Sequence, residues 1–499
     1  MTTALVSQLH LSLSRKRLAR SRIWWGNFAR CLGFLFVVFL LSGPALGQNA
    51  PRRNLQATIN AMVKGFEAQH GGKVGISTLV FKTGKVAYSY HGTTPMVPAS
   101  NLKLVTTAVA TDRLGPDYRF ETRLYGPSTQ TGGVANGDLV LKGGGDPSFY
   151  APYVASSVEP LQEFARAVKN AGITKVTGNL IIDDSDFDRN FISDTHLERY
   201  RLEAYAAPVG GLSLNRNVVT LNVSLNGIST EPSTGSLEFV NKVTAGGYDQ
   251  VWVERPRGTD RVIVNGVVRP GSSVSTTLTI HDPVRFTGSA FFRTLAKAGV
   301  QMAGKWMTVS EGKPASLGGK VMLARHRSPR LKELIRETNV ESDNVLAEHI
   351  FRRLGASAVG FGSARNSEAV VRDFFAKNNI DDRGLKMFDG CGLSESDRIS
   401  PFQLVRVLYA MWGHRNAQLY IDSLPAPGEG TMQSRLGGAL VRAKTGTLNN
   451  HTGLTGYVVT SYGQTVGFSI LVNDVKEVWP AVDLQDRIVS LLSGWNQPL

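Results

Sequence analysis

The stretch Pro98-Ala99-Ser100-Asn101-Leu102-Lys103-Leu104-Val105-Thr106-Thr107-Ala108-Val109-Ala110 sets a Ser and a Lys three positions apart at the opening of an apolar helix. Residues at i and i+3 share one helical face, so the amine of Lys103 comes within hydrogen-bond reach of the Ser100 hydroxyl. Burial in an apolar helix lowers the pKa of the ammonium, and the helix N-terminus favours a developing alkoxide. A second Ser-x-x-Lys, Ser310-Glu311-Gly312-Lys313-Pro314, cannot build this pair because Gly and Pro break the helix. The first copy is therefore read as a nucleophile with its base.

Two more short motifs belong to the same chemistry, and both recur by chance. Ser-x-Asn occurs at Ser213, Ser224 and Ser342, and Lys-Thr-Gly at Lys82 and Lys444. Ser342 and Asn344 lie between two amphipathic helices, one starting at Ser328 as N-cap with Pro329 in its first turn, the other running from Val345 to Leu354. From there a hydroxyl and an amide can project into a cleft, whereas Ser213 and Ser224 lie in strand-and-turn texture. Lys444-Thr445-Gly446-Thr447 lies on a strand flanked by two further antiparallel strands, and a strand edge can bind an extended peptide. Lys82-Thr83-Gly84 is the turn of a β-hairpin and needs no functional reason.

Around these motifs the chain divides by texture. Alternating residues from Val74 to Phe81 and from Val86 to Tyr88 predict the hairpin, and residues 121–324 turn to short strands between Gly-rich turns. Helices return after 325, and strands at Val441–Leu448, Gly456–Thr460 and Val466–Asn473 are closed by a helix from Trp479 to Leu492. The expected fold is α/β with a mixed, mainly antiparallel sheet: one module from residues 48–120 and 325–499, split by a β-rich insertion with room for two subdomains. One pattern occurs twice, Phe164 to Ile173 and Phe292 to Val300, each ending Ala-Gly-Ile/Val before a Gly-marked strand. Two copies are too few for a solenoid. Asp183, Asp184, Asp186 and Asp188 are read as a solvated acidic turn in preference to a subsite for a substrate ammonium.

The formal charge of +15 falls to +9 without residues 1–47, which carry six cations and no acid. The remaining cations are scattered and lack the basic-aromatic stripe of a nucleic-acid reader, so nucleic acid is not an expected partner. Residues 1–47 read as an export signal: a cationic segment, an apolar run from Cys31 to Leu41 too short to span a bilayer, and a small-x-small site at Ala45-Leu46-Gly47. Export places the mature chain in the periplasm, and a leader left uncleaved would hold it at the membrane. Only Cys391 would remain after cleavage, so no internal disulfide is expected. The nine histidines show no ligand spacing, and neither a metal nor a cofactor is implied.

Taken together with Gly143-Gly144-Gly145-Asp146-Pro147, Asp389-Gly390-Cys391-Gly392-Leu393-Ser394, Gly428-Glu429-Gly430-Thr431 and Lys444-Thr445-Gly446-Thr447-Leu448, the three motifs give the chain a specific likeness. It resembles the D-alanyl-D-alanine carboxypeptidase/endopeptidase family typified by penicillin-binding protein 4, peptidase family S13, over nearly the whole mature chain. The likeness extends to an interval of about 240 residues between Ser100 and Ser342. It implies a penicillin-binding/serine β-lactamase-like fold, peptidoglycan stem peptides as substrates, and β-lactams as covalent inhibitors; it does not fix an oligomeric state. The resemblance further implies Ser100 as nucleophile, Lys103 as general base, Ser342 as proton relay and Asn344 as orienting group. Lys444, Thr445, Gly446 and Thr447 would bind substrate, with the Ser100 and Thr447 N–H groups forming an oxyanion hole. Cys391 departs from the family pattern Asp-Gly-Ser-Gly-Leu-Ser, in a position where its size suits packing. The alternatives are a serine β-lactamase, for which no Glu-x-x-Leu-Asn stretch is present, and a non-catalytic wall-binding or antibiotic-sensing protein on the same fold.

Overall fold

Alternation from Lys73 to Tyr90 yields the predicted hairpin, strands Lys73–Val80 and Lys85–Tyr90 joined through Gly84 at φ 68°. The first of these pairs along its whole length with Thr465–Asn473, from Lys73 opposite Asn473 to Val80 opposite Val466. Early and late parts of the chain thus meet inside one antiparallel sheet, ordered Val441–Thr447, Thr452–Val459, Thr465–Asn473, Lys73–Val80, Lys85–Tyr90. Its inner strands are buried almost residue by residue, because helices cover both faces. Helices Leu55–His70 and Trp479–Ser493 pack Ile59, Val63, Leu484 and Ile488 on one face. On the other, Lys103–Arg113 and Pro401–Trp412 share a core with Leu331–Val340, Asn344–Val359 and Ala364–Lys377.

The structure is a computed structural model that describes residues 54–499 apart from residue 234; the signal read at 1–47 lies outside the described residues. Residues 54–499 gather into one compact unit, and among them no helix is long and apolar enough to cross a membrane. Residues 124–300 contribute a core of their own around Leu141, Phe164, Leu221 and Phe291.

This segment is less uniformly antiparallel than its sequence suggests. Its largest sheet is mixed, ordered Trp306–Thr308, Leu180–Asp183, Leu139–Gly143, Glu121–Pro127, Lys320–Arg327, with the first three strands parallel. The parallel pairing comes from the twice-used sequence pattern. Helices Glu159–Asn170 and Pro283–Lys297 pack together, and the strands after them pair in register, Lys175 opposite Gln301 and Leu180 opposite Trp306.

Two local readings are corrected. Ser328 does not cap a helix: its hydroxyl accepts from Phe120 N at 3.0 Å and donates to the Pro329 carbonyl at 2.7 Å. The helix starts at Leu331, capped through Arg330 N to Glu333 Oε2 at 3.0 Å. Nor are the aspartates from 183 to 188 a solvated turn. Asp183 and Asp184 are buried; Asp184 pairs with Arg189 at 2.7 Å, Asp186 with Arg353 at 3.0 Å, and Asp188 with Arg352. Arg352 is itself 1% exposed and also holds Glu348 at 2.9 Å and the Asn190 carbonyl at 2.8 Å.

Because removing one member of a buried ion-pair cluster leaves its partners uncompensated, Arg352→Met should cost about 3–5 kcal/mol. Arg487→Met, which breaks an exposed pair with Asp483, should stay within about 1 kcal/mol of wild type. Denaturant unfolding of the two variants checks the contrast.

Candidate active site

Ser100 lies in a short 3₁₀ turn, Ala99–Leu102, and the α-helix begins only at Lys103. The departure from a continuous α-helix favours the chemistry, since side chains at i and i+3 eclipse in a 3₁₀ turn. Lys103 Nζ donates to Ser100 Oγ at 2.8 Å. It is fully buried, and two further oxygens receive it: Asn344 Oδ1 at 2.6 Å and the Cys391 carbonyl at 2.7 Å. Burial pushes the Lys103 pKa below that of an ordinary lysine, against the opposing pull of Cys391, Asp389, Asp343 and Glu348. A lowered pKa and a hydrogen bond to a half-buried hydroxyl are what a base for Ser100 requires.

Ser342 is half-buried at φ 62° in the break between helices Leu331–Val340 and Asn344–Val359. The next residue, Asp343, caps the second helix through Leu346 N at 3.0 Å and binds Arg216 at 2.5 Å. The cap aims Asn344 inward, where its Oδ1 meets Lys103 and its Nδ2 donates to the Tyr205 carbonyl at 2.9 Å.

Lys444, Thr445, Gly446 and Thr447 lie on the edge strand of the main sheet, beside the Ser100 turn. A Cβ on Gly446 would come 2.9 Å from Ser100 N and 2.6 Å from Asn101 Nδ2, and one on Gly453 of the neighbouring strand 2.4 Å from the same amide. Glycine at both positions lets the strand lie directly against the turn. Lys444 is buried, its Nζ donating to the Thr445 carbonyl at 2.9 Å, and its pKa falls well below the ordinary value through burial and the charge of Lys103. Thr445 is half-buried and Thr447 exposed.

The competing motif copies stand elsewhere. Ser310 is exposed outside any helix or strand, and Lys82 is exposed in the hairpin turn. Ser213 is buried as a hydrogen-bond hub for Asn217 Nδ2 and His349 Nε2, each at 2.8 Å, and Ser224 bonds the Gly227 carbonyl at 3.2 Å.

Sequence reasoning marked Asp389–Ser394 as a motif without a role, and it missed His196 altogether. Asp389 is fully buried; its Oδ1 accepts from Cys391 N and Gly392 N, and its Oδ2 from Ser394 N at 2.9 Å. His196 Nε2 meets the same Oδ2 at 2.8 Å. Burial opposes ionisation of both partners, yet their mutual contact wins: His196 is raised above its ordinary value and Asp389 held well below its own. His196, Asp389 and Cys391 bring one potential metal-ligand atom each within 4.8 Å, a cluster that sequence spacing could not reveal. The Asp389 oxygens are already taken by three N–H groups and the imidazole, so the group reads as a buried ion pair. Glycine signals were visible here: Gly392 has φ 83°, and a Cβ on it would lie 1.9 Å from the Ala99 carbonyl.

The family model described as D-Ala-D-Ala carboxypeptidase 3 (S13) matches residues 55–493. The chain is 28% identical to a D-alanyl-D-alanine carboxypeptidase of Actinomadura sp. (strain R39), over 92% of this chain and 88% of that one. It is 23% identical to the D-alanyl-D-alanine carboxypeptidase DacB of Haemophilus influenzae, over 84% and 88%. The crystal structure of penicillin binding protein 4 from H. influenzae superposes with a TM-score of 0.75 at 22% identity, over 87% of this chain and 99% of that one, and so shares the fold.

Gly392→Ala combines a positive φ with a direct clash on the Ala99 backbone, and should cost about 1–3 kcal/mol or more. Gly437→Ala, where an added Cβ meets nothing within 4 Å, should be near neutral. Thermal unfolding of both variants reads the difference.

Proposed function

The chain belongs to the D-Ala-D-Ala carboxypeptidase 3 (S13) family, and from that membership we propose how its residues divide the work of a serine peptidase acting on D-alanine-terminated peptidoglycan stem peptides. The carrying observation is the buried Lys103 amine on the Ser100 hydroxyl at 2.8 Å. Ser100 Oγ attacks the carbonyl between two D-alanines while Lys103 takes its proton. The Ser100 and Thr447 N–H groups receive the oxyanion, an arrangement worth about 3 kcal/mol per donor in such sites. Ser342 passes a proton to the departing amine, and Asn344 orients Lys103 and the substrate amide. D-alanine leaves, and water activated by Lys103 releases the acyl group from Ser100.

Electrostatics supports the specificity. Lys103 and Lys444 are both buried, the charge of Lys103 lowers the proton affinity of Lys444, and neither pairs with a carboxylate among the described residues. A substrate carboxylate at Lys444 and Thr445 supplies the missing anion, and an extended peptide can lie along Thr445–Thr447 at the sheet edge. The same acyl step serves removal of terminal D-alanine and cleavage of D-alanine cross-links; incubation with a pentapeptide and with a cross-linked muropeptide, followed by product identification, separates the two. β-Lactams acylate the same serine, and the fold is shared with an H. influenzae penicillin binding protein 4 crystallised with a β-lactam. Such a substrate places the protein outside the cytoplasmic membrane, at the cell wall.

Ser100→Ala should abolish D-alanine release and penicillin labelling, and Ser310→Ala neither; in the wild type, mass spectrometry should find a lasting adduct on the Ser100 peptide, because the opened β-lactam stays tethered and bars water. Rapid multiple-turnover penicillin hydrolysis without that adduct would favour a β-lactamase. Lys444→Ala should cut peptidase activity at least about tenfold, the loss of one charge-assisted contact, while Lys82→Ala stays near wild type. Because Lys103 acts unprotonated, acylation should rise with pH through a value below the ordinary 10.5 and fall away in acid as the amine protonates; a pH series of labelling rates checks this.

A further inference from the structure

Lys103 Nζ touches three oxygens, and two of them, Asn344 Oδ1 and the Cys391 carbonyl, determine where the amine points relative to Ser100. Both are held by the same short stretch of chain, residues 193–206. On one side the Tyr205 carbonyl accepts from Asn344 Nδ2 at 2.9 Å, fixing the amide so that its oxygen faces Lys103. On the other side His196 Nε2 contacts Asp389 Oδ2 at 2.8 Å, and Ser394 Oγ donates to Thr195 Oγ1 at 2.7 Å.

Asp389 is the centre of the turn that presents the Cys391 carbonyl. Its two oxygens collect the N–H groups of Cys391, Gly392 and Ser394, and the turn is tied from behind by Gly390 N to Glu348 Oε2 at 2.7 Å and Thr106 Oγ1 to the Gly390 carbonyl at 2.7 Å. His196 Nδ1 is buried with no partner, so Asp389 is the ring's one polar tie among the described residues. Tyr200 and Ala206 pack with Ala99, Ala347, Cys391 and Leu393, which closes the stretch over the turn with apolar contacts.

We propose that residues 193–206 form a brace for the general base, in which His196 is a positioning residue that acts through Asp389 and the Cys391 carbonyl to hold the Lys103 amine on Ser100. The proposal rests on the reading of Lys103 as base for Ser100. It gives the long interval between the Ser-x-x-Lys and Ser-x-Asn motifs a part in the reaction. It also accounts for Cys391: burial pushes its thiol pKa well up, and what reaches Lys103 as an acceptor is the backbone carbonyl, which any side chain at this position would supply.

Loss of the brace has a direction. Freeing the Cys391 carbonyl removes an acceptor that stabilises the ammonium, so the Lys103 pKa falls further while the amine loses its aim. Replacing His196 also removes the cation paired with Asp389, which by itself would raise the Lys103 pKa, so the part of the carbonyl is read between His196→Ala and His196→Gln, which remove the same charge. The charges that face Lys103 are Asp389, Asp343, Glu348 and Lys444, and those that face His196 are Asp389, Glu348 and Arg352.

The test measures the second-order rate of penicillin acylation against pH for the wild type and for His196→Ala, His196→Gln, Glu238→Ala and Lys103→Met, with thermal unfolding alongside. The brace predicts that His196→Ala lowers the plateau at least tenfold and sets its acid limb at lower pH than that of His196→Gln. His196→Gln, whose amide can donate to Asp389 from nearly the same place, should recover most of the rate, and Glu238→Ala, exposed and outside the brace, should match the wild type. Wild-type rate and limb in His196→Ala, with Lys103→Met inactive, would overturn the brace and leave the base assignment standing. A fall in rate and melting temperature together, with the limbs of His196→Ala and His196→Gln coincident and no rescue by Gln, would overturn it in favour of a purely structural role. Full acylation in Lys103→Met would overturn both the base assignment and the brace built on it.

Discussion

A lysine at zero exposure is expensive to bury as an ammonium and poorly satisfied as an amine unless oxygens surround it, and the active site is organised around that requirement at Lys103. Its three acceptors come from residues 3, 241 and 288 positions away in sequence. No local element could supply them. The helical break at 341–343, the Asp389 turn and the 3₁₀ turn at Ser100 are each shaped so that one oxygen arrives at the same nitrogen. The same burial that makes Lys103 hard to accommodate lowers its pKa, so the requirement and the proposed role as base have one origin.

The sheet solves the second half of the problem. Because Lys73–Val80 pairs with Thr465–Asn473, the early hairpin and the late strands become one surface, and the edge strand bearing Lys444 lies beside the turn bearing Ser100. Glycine permits the contact: Gly446 and Gly453 leave room for Asn101, and Gly392 leaves room for the Ala99 carbonyl from the opposite side. The Ser100 turn is thus clamped between two glycine-lined backbones, which suits the proposed role of a residue whose oxygen must keep its place while its bonding changes.

Legibility in the sequence followed the range of the interactions. The hairpin, the buried helix after Lys103 and the three late strands were readable because each is specified by alternation or apolar length within a few residues. That Ser100 lies in a helical turn, bonded to Lys103, and Lys444 on a strand, while Ser310 and Lys82 lie in exposed loop and turn, was also readable, since it needed only the local element. Ser328 misled because a Ser-Pro pair is a good helix start in isolation, whereas here its hydroxyl is spent on Phe120. The aspartates at 183–188 misled for the same reason: the guanidinium partners of Asp188 and Asp186, at 352 and 353, are distant in sequence, so the run looked unpaired. The parallel strands were half visible, since the repeated Ala-Gly pattern was seen but its two copies could not be placed side by side without tertiary contacts. His196 carried no signal at all, because nothing near it in sequence marks the carboxylate it meets.

That last case shows what the departure at Cys391 means. A motif read as a string invites the question of what a thiol does where a hydroxyl is usual, but the motif's work is done by the Asp389 carboxylate, by the N–H groups it gathers, by a glycine at positive φ, and by a carbonyl. Asp389 and Ser394 in that turn are constrained by the oxygens of their side chains, and Gly390 and Gly392 by having none. Position 391 must be small enough to be buried among Ala99, Ala347 and Leu393, and Cys meets that condition as Ser does. The freedom at 391 and the strictness at 392 both follow from the placement of one carbonyl oxygen 2.7 Å from Lys103.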